Sequence, residues 1–596
     1  MEADAHRRTI LNVDRSVTGY RWVDRLPEGA ERFATAITQR SATSDLVARL
    51  LAARGISADE ATAYLNPSLR DLLPNPSELT DMDRAAQVLA DAVIEGENIA
   101  IFGDYDVDGA TSSSLLSRYL TALGIDAPIH IPDRLTEGYG PNIPAIEALR
   151  DQGAKLLVTV DCGATSFEPL EAAQDMGLKV VVIDHHQMTD ALPVASALVN
   201  PNRPDDISGQ GHLAAVGVVF LVLVALNRAL RERGYFTERS EPDLMSLLDL
   251  VALGTVCDVV PLQGLNRAYV RRGLTVMAKQ TNLGIAALSK SARLNGPAEP
   301  FHLGYLLGPR INAGGRIGNA SLGARLLTLS DPIEAERIAA KLEDLNRERQ
   351  ALEQVLLEAA EASVLTQLQQ GRALLMVAGG DYHPGLVGLI AGRLKERHRR
   401  PAFAVALNPD GTGTGSGRSI PGVDLGSIVR RAVENGVLLK GGGHAMAAGL
   451  TLDANRFEET QAWLEAAVSE AAQDITATTD LEVDGVLTAR GASPALLAEI
   501  ARVGPFGAGN PEPLFVFPMH RLDRPAPVGT SHIRATLVSN DGSKIKAIAF
   551  RAQGQPLGEA LLSASHPVHI AASLSIDRWG GRETVQAQIK DVAMPT

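Results

Sequence analysis

The sequence contains few residues that could form disulfides or cross a membrane. Only two of its 596 residues are cysteines, Cys162 and Cys257, so at most one disulfide is possible and a disulfide framework is excluded. The longest apolar run, residues 213–226, is shorter than the roughly 20 residues of a membrane helix, which predicts a buried helix. The start, MEADAHRRTI, has no apolar segment of the kind that secretory signals carry. We therefore expect a cytoplasmic protein with no membrane partner.

Acidic residues outnumber basic ones, 70 to 56, and the formal net charge is −14. This argues weakly against a nucleic-acid partner, because phosphate binding requires lysine and arginine. The objection is weak because acids at a metal site are neutralised by the bound cations. A binding groove also needs only local basic density, such as RLKERHRR at residues 393–400.

The pattern of strands and helices predicts an α/β protein of several domains, because 596 residues exceed what one core supports. Strands and helices alternate over residues 99–183, which indicates a mostly parallel sheet with helices on both faces. Residues 332–369 predict a helix about 55 Å long that connects two α/β domains. A coiled-coil dimer is the alternative for this helix, and polar Arg349 interrupts its apolar seam.

The last 110 or so residues change to short alternating strands, with a hairpin turn at Asn540-Asp541-Gly542. This pattern predicts a small barrel of the OB type. The expected domains are an irregular or partly ordered N-terminal arm, a first α/β domain, a connector helix, a second α/β domain and the barrel. Their predicted ranges are 1–45, 46–330, 331–370, 371–475 and 476–596.

An acidic stretch, IFGDYDVDG at residues 101–109, directly follows a predicted buried strand. Asp104, Asp106 and Asp108 would repel one another unless a cation or full solvation compensates them. The spacing also matches the first half of an EF-hand loop, but the required glutamate position holds Leu115, so we reject a calcium loop. We interpret the stretch as the start of another kind of metal site.

Further acids and a histidine pair follow other predicted strands and a helix. Asp161 ends the strand in LVTVDCG, Asp184-His185-His186 end VVVIDHH, and Asp258 follows a helix in GTVCDVVPL. Carboxylate and imidazole ligands suit Mn²⁺ or Mg²⁺. The candidates are enough for two ions roughly 3.5–4 Å apart, a pair that supports displacement at phosphorus. The predicted metal ligands are Asp106, Asp108, Asp161, His185 and Asp258.

Taken together and in order, GDYDVDG, TVDCG, IDHH and GTVCDVVPL resemble the four motifs of the DHH phosphoesterase superfamily. PRINAGGRIGNA, YHPGLVGLIAGRL, GSGRSIPG, GGGHAMAAGL and PFGAGNPEP resemble further motifs of its RecJ family. The resemblance covers roughly residues 46–596. It implies a DHH domain, a DHHA1-like domain and an OB-like domain in a 5′→3′ exonuclease that acts on single-stranded DNA with Mn²⁺ or Mg²⁺.

The resemblance also implies roles for residues of the acidic centre. Asp161 would bridge two ions, Asp104 would support the site and Asp184 would orient the histidine loop. His186 would face the scissile phosphate, and the predicted catalytic residues are Asp161, His186 and Arg316. This chain departs from some relatives at Phe102, where they carry a further histidine ligand.

Glycine-rich segments, each expected to be a loop, hold the candidate phosphate-binding residues. An arginine among glycines lets a guanidinium and backbone N–H groups approach one phosphate, although a structural arginine is the alternative for one of the two in the first segment. The resemblance implies that the later segments form a pocket for the 5′-terminal phosphate. Neither segment ends in the Lys-Ser/Thr of a Walker A motif, so ATP is not expected. The candidates are Arg310, Asn312, Arg316, Ser416, Arg418 and His444.

Trp579, between Arg578 and Arg582 in a predicted hairpin of the barrel, is a candidate for stacking on a base, with a core position as the alternative. Cys162 and Cys257 are interpreted as packing residues. The expected partner is single-stranded DNA, with a single-strand-binding protein and a helicase as further partners, for a monomer in DNA repair and recombination. The rival functions are a DHH phosphodiesterase on short oligonucleotides or cyclic dinucleotides, and a non-catalytic binding protein.

Overall fold

The computed structural model describes residues 7–134, 136–472, 480–529, 531–577 and 583–595. The chain forms two compact units. One is drawn from the segments Met1–Leu73, Pro261–Ala268 and Ala477–Thr596, and the other from Pro74–Val260 and Tyr269–Thr476.

The described strands are numbered in chain order. They are β1 (Arg21–Asp24), β2 (Ile99–Gly103), β3 (Ile129–His130), β4 (Leu156–Val160), β5 (Lys179–Ile183), β6 (Ala197–Val199), β7 (Leu375–Gly379), β8 (Ala402–Leu407), β9 (Thr412–Arg418), β10 (Lys440–His444), β11 (Ala447–Asp453), β12 (Asp480–Val483), β13 (Gly485–Val486), β14 (Phe515–Val528), β15 (His532–Val538), β16 (Lys544–Ala549), β17 (Val568–Asp577) and β18 (Thr584–Ala593).

The described α-helices are numbered in the same way, and a π-helical segment, Leu303–Leu307, lies between α13 and α14. They are α1 (Glu31–Ser41), α2 (Asp45–Ala52), α3 (Ala61–Leu65), α4 (Leu69–Leu72), α5 (Met82–Glu95), α6 (Val107–Ala122), α7 (Ile143–Asp151), α8 (Phe167–Asp175), α9 (Ala215–Glu232), α10 (Leu248–Cys257), α11 (Gly264–Met277), α12 (Leu283–Ser291), α13 (Pro300–His302), α14 (Gly308–Ile317), α15 (Leu322–Thr328), α16 (Pro332–Gln369), α17 (Val387–His398), α18 (Leu425–Glu434), α19 (Phe457–Ala472), α20 (Pro494–Ala501) and α21 (Pro556–Ser563).

The second unit begins with the predicted parallel sheet, in the order β3-β2-β4-β5-β6. Strands β2 and β4 are buried along their whole length, as expected for a sheet covered on both faces. The chain leaves β2 toward β3 on one side and later returns to β4 on the other. This reversal creates a crevice at the carboxyl ends of β2 and β4, where ligands bind in sheets of this kind.

The acidic stretch lies in that crevice, between the end of β2 and the first turn of helix α6. Asp106 is the N-cap of α6 and accepts the N–H of Gly109 at 3.0 Å. A Cβ at Gly109 would lie 2.3 Å from the carbonyl oxygen of Asp104, so only glycine permits this close turn. The strand end and the helix cap therefore fix three carboxylates at the switch point of the sheet.

Helix α16 confirms the predicted 332–369 helix, with Asp331 as its N-cap. Its buried Arg349 donates to Asn346 and to Glu353, so the polar interruption of the apolar seam is satisfied within the chain. Part of the basic run 393–400 is paired: Arg393 with Glu353 of α16, and Arg397 and His398 with Glu361 of α16. These contacts bind α17 to the connector helix, so part of the run is engaged within the chain.

The second α/β domain has a five-stranded sheet in the order β10-β11-β9-β8-β7. Residues 412–418 and 440–444 were expected as glycine-rich loops and are strands β9 and β10. In β9, a Cβ at Gly417 would lie 2.3 Å from the ring of Phe403, and one at Gly413 would lie 2.8 Å from Leu452. The alternate glycines of this strand thus leave room for neighbouring side chains. The high glycine content indicated a loop, and that prediction was wrong.

The other unit contains a closed barrel in which β14, β15, β16, β18, β17 and again β14 are successive neighbours. This confirms the expected barrel, and the turn at Asn540-Asp541-Gly542 joins the antiparallel strands β15 and β16. The described N-terminal residues include β1 and α1, so of the two expectations for this arm, irregular or partly ordered, the first is wrong for them. β1 pairs with β12, and the fully buried Trp22 donates to Asp591 at 2.8 Å.

None of the helices in the described ranges is long and apolar enough to cross a bilayer. The division of the second unit into domains at the predicted boundaries stays a prediction.

The Trp22 contact predicts a stability effect. Trp22→Phe removes the donor to the buried Asp591 carboxylate while keeping an aromatic ring, and should cost about 1–3 kcal/mol because a buried acceptor loses a partner. The measurement is the urea midpoint of the transition that unfolds this unit. Phe33→Leu, at an exposed position of α1, is the matched control, and equal midpoints for both variants would contradict the prediction.

Candidate active site

Asp108, on the first turn of α6, is held by the start of another helix. Its carboxylate accepts the N–H groups of Ala215 at 2.6 Å and Val216 at 3.0 Å, at the N-terminus of α9. Burial and the neighbouring Asp106 nevertheless raise the pKa of Asp108 to about 7. The helix terminus compensates this buried charge in part.

Asp161 follows β4 with a backbone φ of +60°, a conformation that is uncommon for residues other than glycine. Its side chain is buried, and its Oδ1 lies 3.4 Å from Nε2 of His185. Burial and the charges of Asp108 and Asp106 raise the pKa of Asp161 well above its usual range. The strained turn directs this carboxylate toward the other acids of the crevice.

Asp184 orients the histidine pair. Its Oδ1 accepts the N–H of His185 at 2.7 Å and Nδ1–H of His186 at 2.7 Å, and its Oδ2 accepts the N–H of Ala164. Burial opposes ionisation, but these bonds and the charge of His186 lower the pKa of Asp184 to about 2. Burial likewise opposes protonation of His186, and Asp184 overcomes it and raises the pKa of His186 to about 9.

His185 faces the acids through one ring nitrogen. Its Nδ1 bonds to the carbonyl oxygen of Leu213 at 3.0 Å, and its Nε2 lies 3.9 Å from Asp108 and 3.7 Å from Asp258. Burial lowers the pKa of His185, which favours the neutral imidazole that binds metals. Asp258, at the C-cap of α10, has its pKa raised to about 9 by burial and then by Asp108 and Asp106.

The structure therefore brings all five predicted metal ligands into one crevice. Three groups of side chains have potential ligand atoms within 4.8 Å of one another, and Asp104 belongs to one of them. Asp104 thus lies as close to Asp106 and Asp161 as a direct ligand would. The groups are Asp161 with His185 and His186, Asp108 with His185 and Asp258, and Asp104 with Asp106 and Asp161.

A further observation supports the fit of these carboxylate and imidazole groups to divalent cations. Three buried carboxylate oxygens in the crevice have no hydrogen-bond partner: Asp104 Oδ1, Asp161 Oδ1 and Asp258 Oδ2. Buried carboxylates are normally paired or bound to metals, because an isolated buried charge is costly. Oxygen and imidazole ligands in this number suit Mn²⁺ or Mg²⁺.

An arginine cluster lies beside the acids. Burial and the charges of Arg134, Arg349 and Arg418 lower the pKa of Arg316 to about 10, while Asp106 acts in the opposite direction. Arg418 donates to Ser416 Oγ at 2.9 Å, and burial and Arg134 lower its pKa also. Of these groups, Arg349 is paired with Glu353. Repulsion among the other three guanidinium groups, Arg134, Arg316 and Arg418, which we call the arginine cluster, favours an anionic ligand beside them.

Sequence reasoning missed Arg134 and two tyrosines. Arg134 lies over the ring of Tyr105 at 4.1 Å, and its buried Nε has no hydrogen-bond partner. The hydroxyl of Tyr139 lies 3.3 Å from Nδ1 of His186. These residues belong to the acidic motif or to the loop after β3, where no periodicity singled them out.

Other predicted phosphate-binding residues are placed differently. Arg310 and Asn312 lie on α14, a helix where a loop was expected, and Arg310 binds Glu343 at 2.6 Å, which supports its structural interpretation. Paired glycines permit this helix to pack closely, since a Cβ at Gly315 would lie 2.6 Å from the carbonyl oxygen of Tyr105. His444 is exposed at the end of edge strand β10.

Three predictions made outside the two clusters have separate outcomes. Trp579 lies outside the described residues, so its stacking role stays a prediction. Phe102 is fully buried and packs on His130 with ring centroids 5.0 Å apart. Cys162 and Cys257 are both free, and each donates to a backbone carbonyl, in line with their interpretation as packing residues.

Family models match three consecutive regions of the chain. The DHH family N-terminal domain matches residues 98–255, the DHHA1 domain 370–470 and the RecJ OB domain 483–591. The chain is thus assembled from the parts of a DHH-type protein with an OB domain.

Curated proteins and solved structures narrow this class. The chain is 37% identical to the single-stranded-DNA-specific exonuclease RecJ of Salmonella typhimurium, over 92% of this chain and 95% of that protein. It is 36% identical to the protein of the same name from Escherichia coli, over 92% and 95%. The crystal structure of RecJ from Thermus thermophilus in complex with Mn²⁺ matches with a TM-score of 0.77 and 30% identity, covering 95% of this chain and 78% of that one. The chain belongs to the RecJ family.

The close contact at Gly315 predicts an effect on the acidic centre. Gly315→Ala places a Cβ against the Tyr105 carbonyl between Asp104 and Asp106, so the loop must shift and Mn²⁺ affinity should fall about tenfold or more. Calorimetric titration of the full chain with Mn²⁺ measures this. Gly392→Ala on α17, whose Cβ would meet nothing nearer than 4.0 Å, should bind as the parent does. Parental affinity in Gly315→Ala would contradict the prediction.

Proposed function

We propose that this chain is a metal-dependent exonuclease that hydrolyses single-stranded DNA to mononucleotides from the 5′ end. The observation that carries the proposal is that two clusters of like charge lie beside each other in one unit. Buried carboxylates with oxygens that lack hydrogen-bond partners lie at the switch point of the parallel sheet, and the arginines lie beside them. The relatives named single-stranded-DNA-specific exonuclease RecJ support the substrate.

The residues proposed to hold two divalent cations, Mn²⁺ or Mg²⁺, surround Asp161. Asp161 is proposed as the bridging ligand because its carboxylate belongs to two of the three groups of potential ligands. Divalent cations bound there would lower the pKa of a water molecule and neutralise charge on the phosphate oxygens. The proposed ligands are Asp106, Asp108, Asp161, His185 and Asp258, with Asp104 beside them.

His186 and Asp184 act together on the phosphate. The hydrogen bond between Nδ1 and Asp184 orients the ring and raises the pKa of His186 to about 9, so it favours an imidazolium that faces the crevice. A cation positioned there stabilises negative charge that develops on the scissile phosphate. The Tyr139 hydroxyl, which contacts the same ring, limits its rotation.

Selection of the 5′ end is assigned to the arginine cluster. Arg418 and Ser416 point from β9, and Arg316 reaches the second domain by donating to the carbonyl oxygen of Gly385 at 2.9 Å. A terminal phosphate carries more charge than an internal one, so a site with several guanidinium groups prefers the end of a strand. Arg134 is proposed as a further member of this site.

The biological setting remains part of the proposal. We infer a cytoplasmic monomer that acts in DNA repair and recombination, with a single-strand-binding protein and a helicase as partners. The boundaries 46–330, 331–370, 371–475 and 476–596 are proposed for its DHH domain, connector helix, DHHA1-like domain and OB-like domain.

A degradation time course tests the activity. Single-stranded DNA labelled at either end, with or without a 5′-phosphate, is incubated with the full chain and either Mn²⁺ or Mg²⁺. A 5′ label should be released first as a mononucleotide, while a 3′ label should pass through progressively shorter fragments. Immediate release of the 3′ label, or no mononucleotide with either metal, would contradict the proposal.

Replacing the proposed bridging ligand separates hydrolysis from binding. Asp161→Asn should lower kcat by more than about a hundredfold, because even residues that only support a metal ligand can contribute 10- to 100-fold. Single-strand affinity should change little, since the arginines remain. Asp175→Asn, at an exposed position of α8, is the control. Normal turnover by Asp161→Asn would show that the site is assigned wrongly.

The end-binding role of Arg418 is tested by comparing two substrates. Arg418→Leu should lower kcat/KM about tenfold or more for a 5′-phosphorylated strand and much less for a 5′-hydroxyl strand, because a charge-assisted hydrogen bond is lost only with the former. Arg431→Leu, at an exposed position of α18, is the control. An equal loss for both strands would argue against a 5′-phosphate site.

A further inference from the structure

Two aromatic rings are exposed together just before helix α14. Phe301 is 59% exposed and Tyr305 is 71% exposed. Their ring centroids are 4.9 Å apart and the ring planes differ by only 25°, so the two rings stack on each other. Large aromatic side chains usually have a much smaller exposed fraction than these two. An exposed pair of rings that are already stacked therefore suggests a ligand with a flat face.

The backbone under the pair is well defined. Pro300 begins α13, and the N–H of Glu299 donates to Nδ1 of His302 at 3.0 Å, which fixes the entry to the helix. The following residues 303–307 form a π-helical turn, a rare conformation that is frequent at functional sites. The rings are therefore carried by regular helical backbone.

The π-helical turn also packs against the acidic centre. Cys257 donates through Sγ to the carbonyl oxygen of Leu303, and Cys257 directly precedes Asp258. The same helical run continues through α14 to Arg316, which places Tyr305 about 16 Å from Arg316 along the helix, at 1.5 Å per residue. The aromatic pair and the arginine cluster thus lie toward opposite ends of one run that passes beside the proposed metal ligands.

We propose that Phe301 and Tyr305 form a stacking platform for an unpaired base of the substrate strand. The inference rests on the proposed function and adds a subsite to it. The platform would hold a nucleotide on the 3′ side of the scissile phosphate, while the arginine cluster holds the 5′ end. Stacking is tolerant of base identity, as a nonspecific exonuclease requires, and in a duplex the neighbouring base pairs would stack on the face that the platform contacts and cover it.

Oligonucleotides with one abasic position test the platform. The full chain carrying Asp161→Asn binds labelled strands in which the missing base is moved stepwise from the 5′ end. Affinity should drop about tenfold at the position that reaches the platform, because stacking on one base contributes about that much or more. With Phe301→Leu and Tyr305→Leu added, the intact strand should bind about tenfold more weakly and the drop at that position should disappear.

Leucine keeps the apolar surface but removes the flat ring. A chain that carries Tyr305→Phe instead of the two leucine substitutions keeps both rings and should again show the drop in affinity at that abasic position. Phe167→Ala, at an exposed aromatic of α8, is the matched control. If the double leucine variant shows the same affinity at every abasic position as the parent does, the platform is overturned. The exposed aromatic pair would then be a contact surface for a protein partner. The chain with Asp161 intact is assayed for mononucleotide release in parallel. Absence of release refutes the exonuclease itself, whereas release with a parental profile in the double variant refutes only the platform.

Discussion

Mutual repulsion among buried carboxylates is the constraint on which the rest of this structure depends. Asp104, Asp108 and Asp161 are nearly inaccessible to water, and Asp258 joins them at the end of α10. Burial and mutual charge raise the pKa values of all four, so the folded chain alone stabilises their ionised forms poorly. Divalent cations bound there would resolve this conflict, and this electrostatic demand is the physical reason to interpret the crevice as a metal centre.

The histidines and arginines around the acidic centre are consistent with a phosphodiester substrate. Burial lowers the pKa of His185, whereas Asp184 outweighs burial and raises the pKa of His186, so the two adjacent imidazoles differ in their tendency to be protonated. Arg316 and Arg418 are buried near Arg134, and the repulsion among their charges favours an anion there. Under the proposed function, the acids would hold the cations and these arginines would hold the terminal phosphate.

The sequence predicted the centre well because alternating strands and helices put the acids at strand ends, and parallel strands end at one edge of their sheet. It predicted the arginine side less well. Glycines in 412–418 indicated a loop, yet they form β9 because neighbouring rings occupy the space above them. Arg310 matched a motif but binds Glu343, and Arg134 became visible only when the loop after β3 was placed. Such contacts between distant segments leave no periodic trace in a sequence.

The central claim is that the carboxylates and His185 bind divalent cations as one centre. Anomalous diffraction from crystals of the full chain grown with Mn²⁺ tests it most directly. The account predicts two peaks about 3.5–4 Å apart with Asp161 between them. Manganese bound only elsewhere, or an acidic crevice without a peak in crystals whose protein still releases mononucleotides, would contradict it.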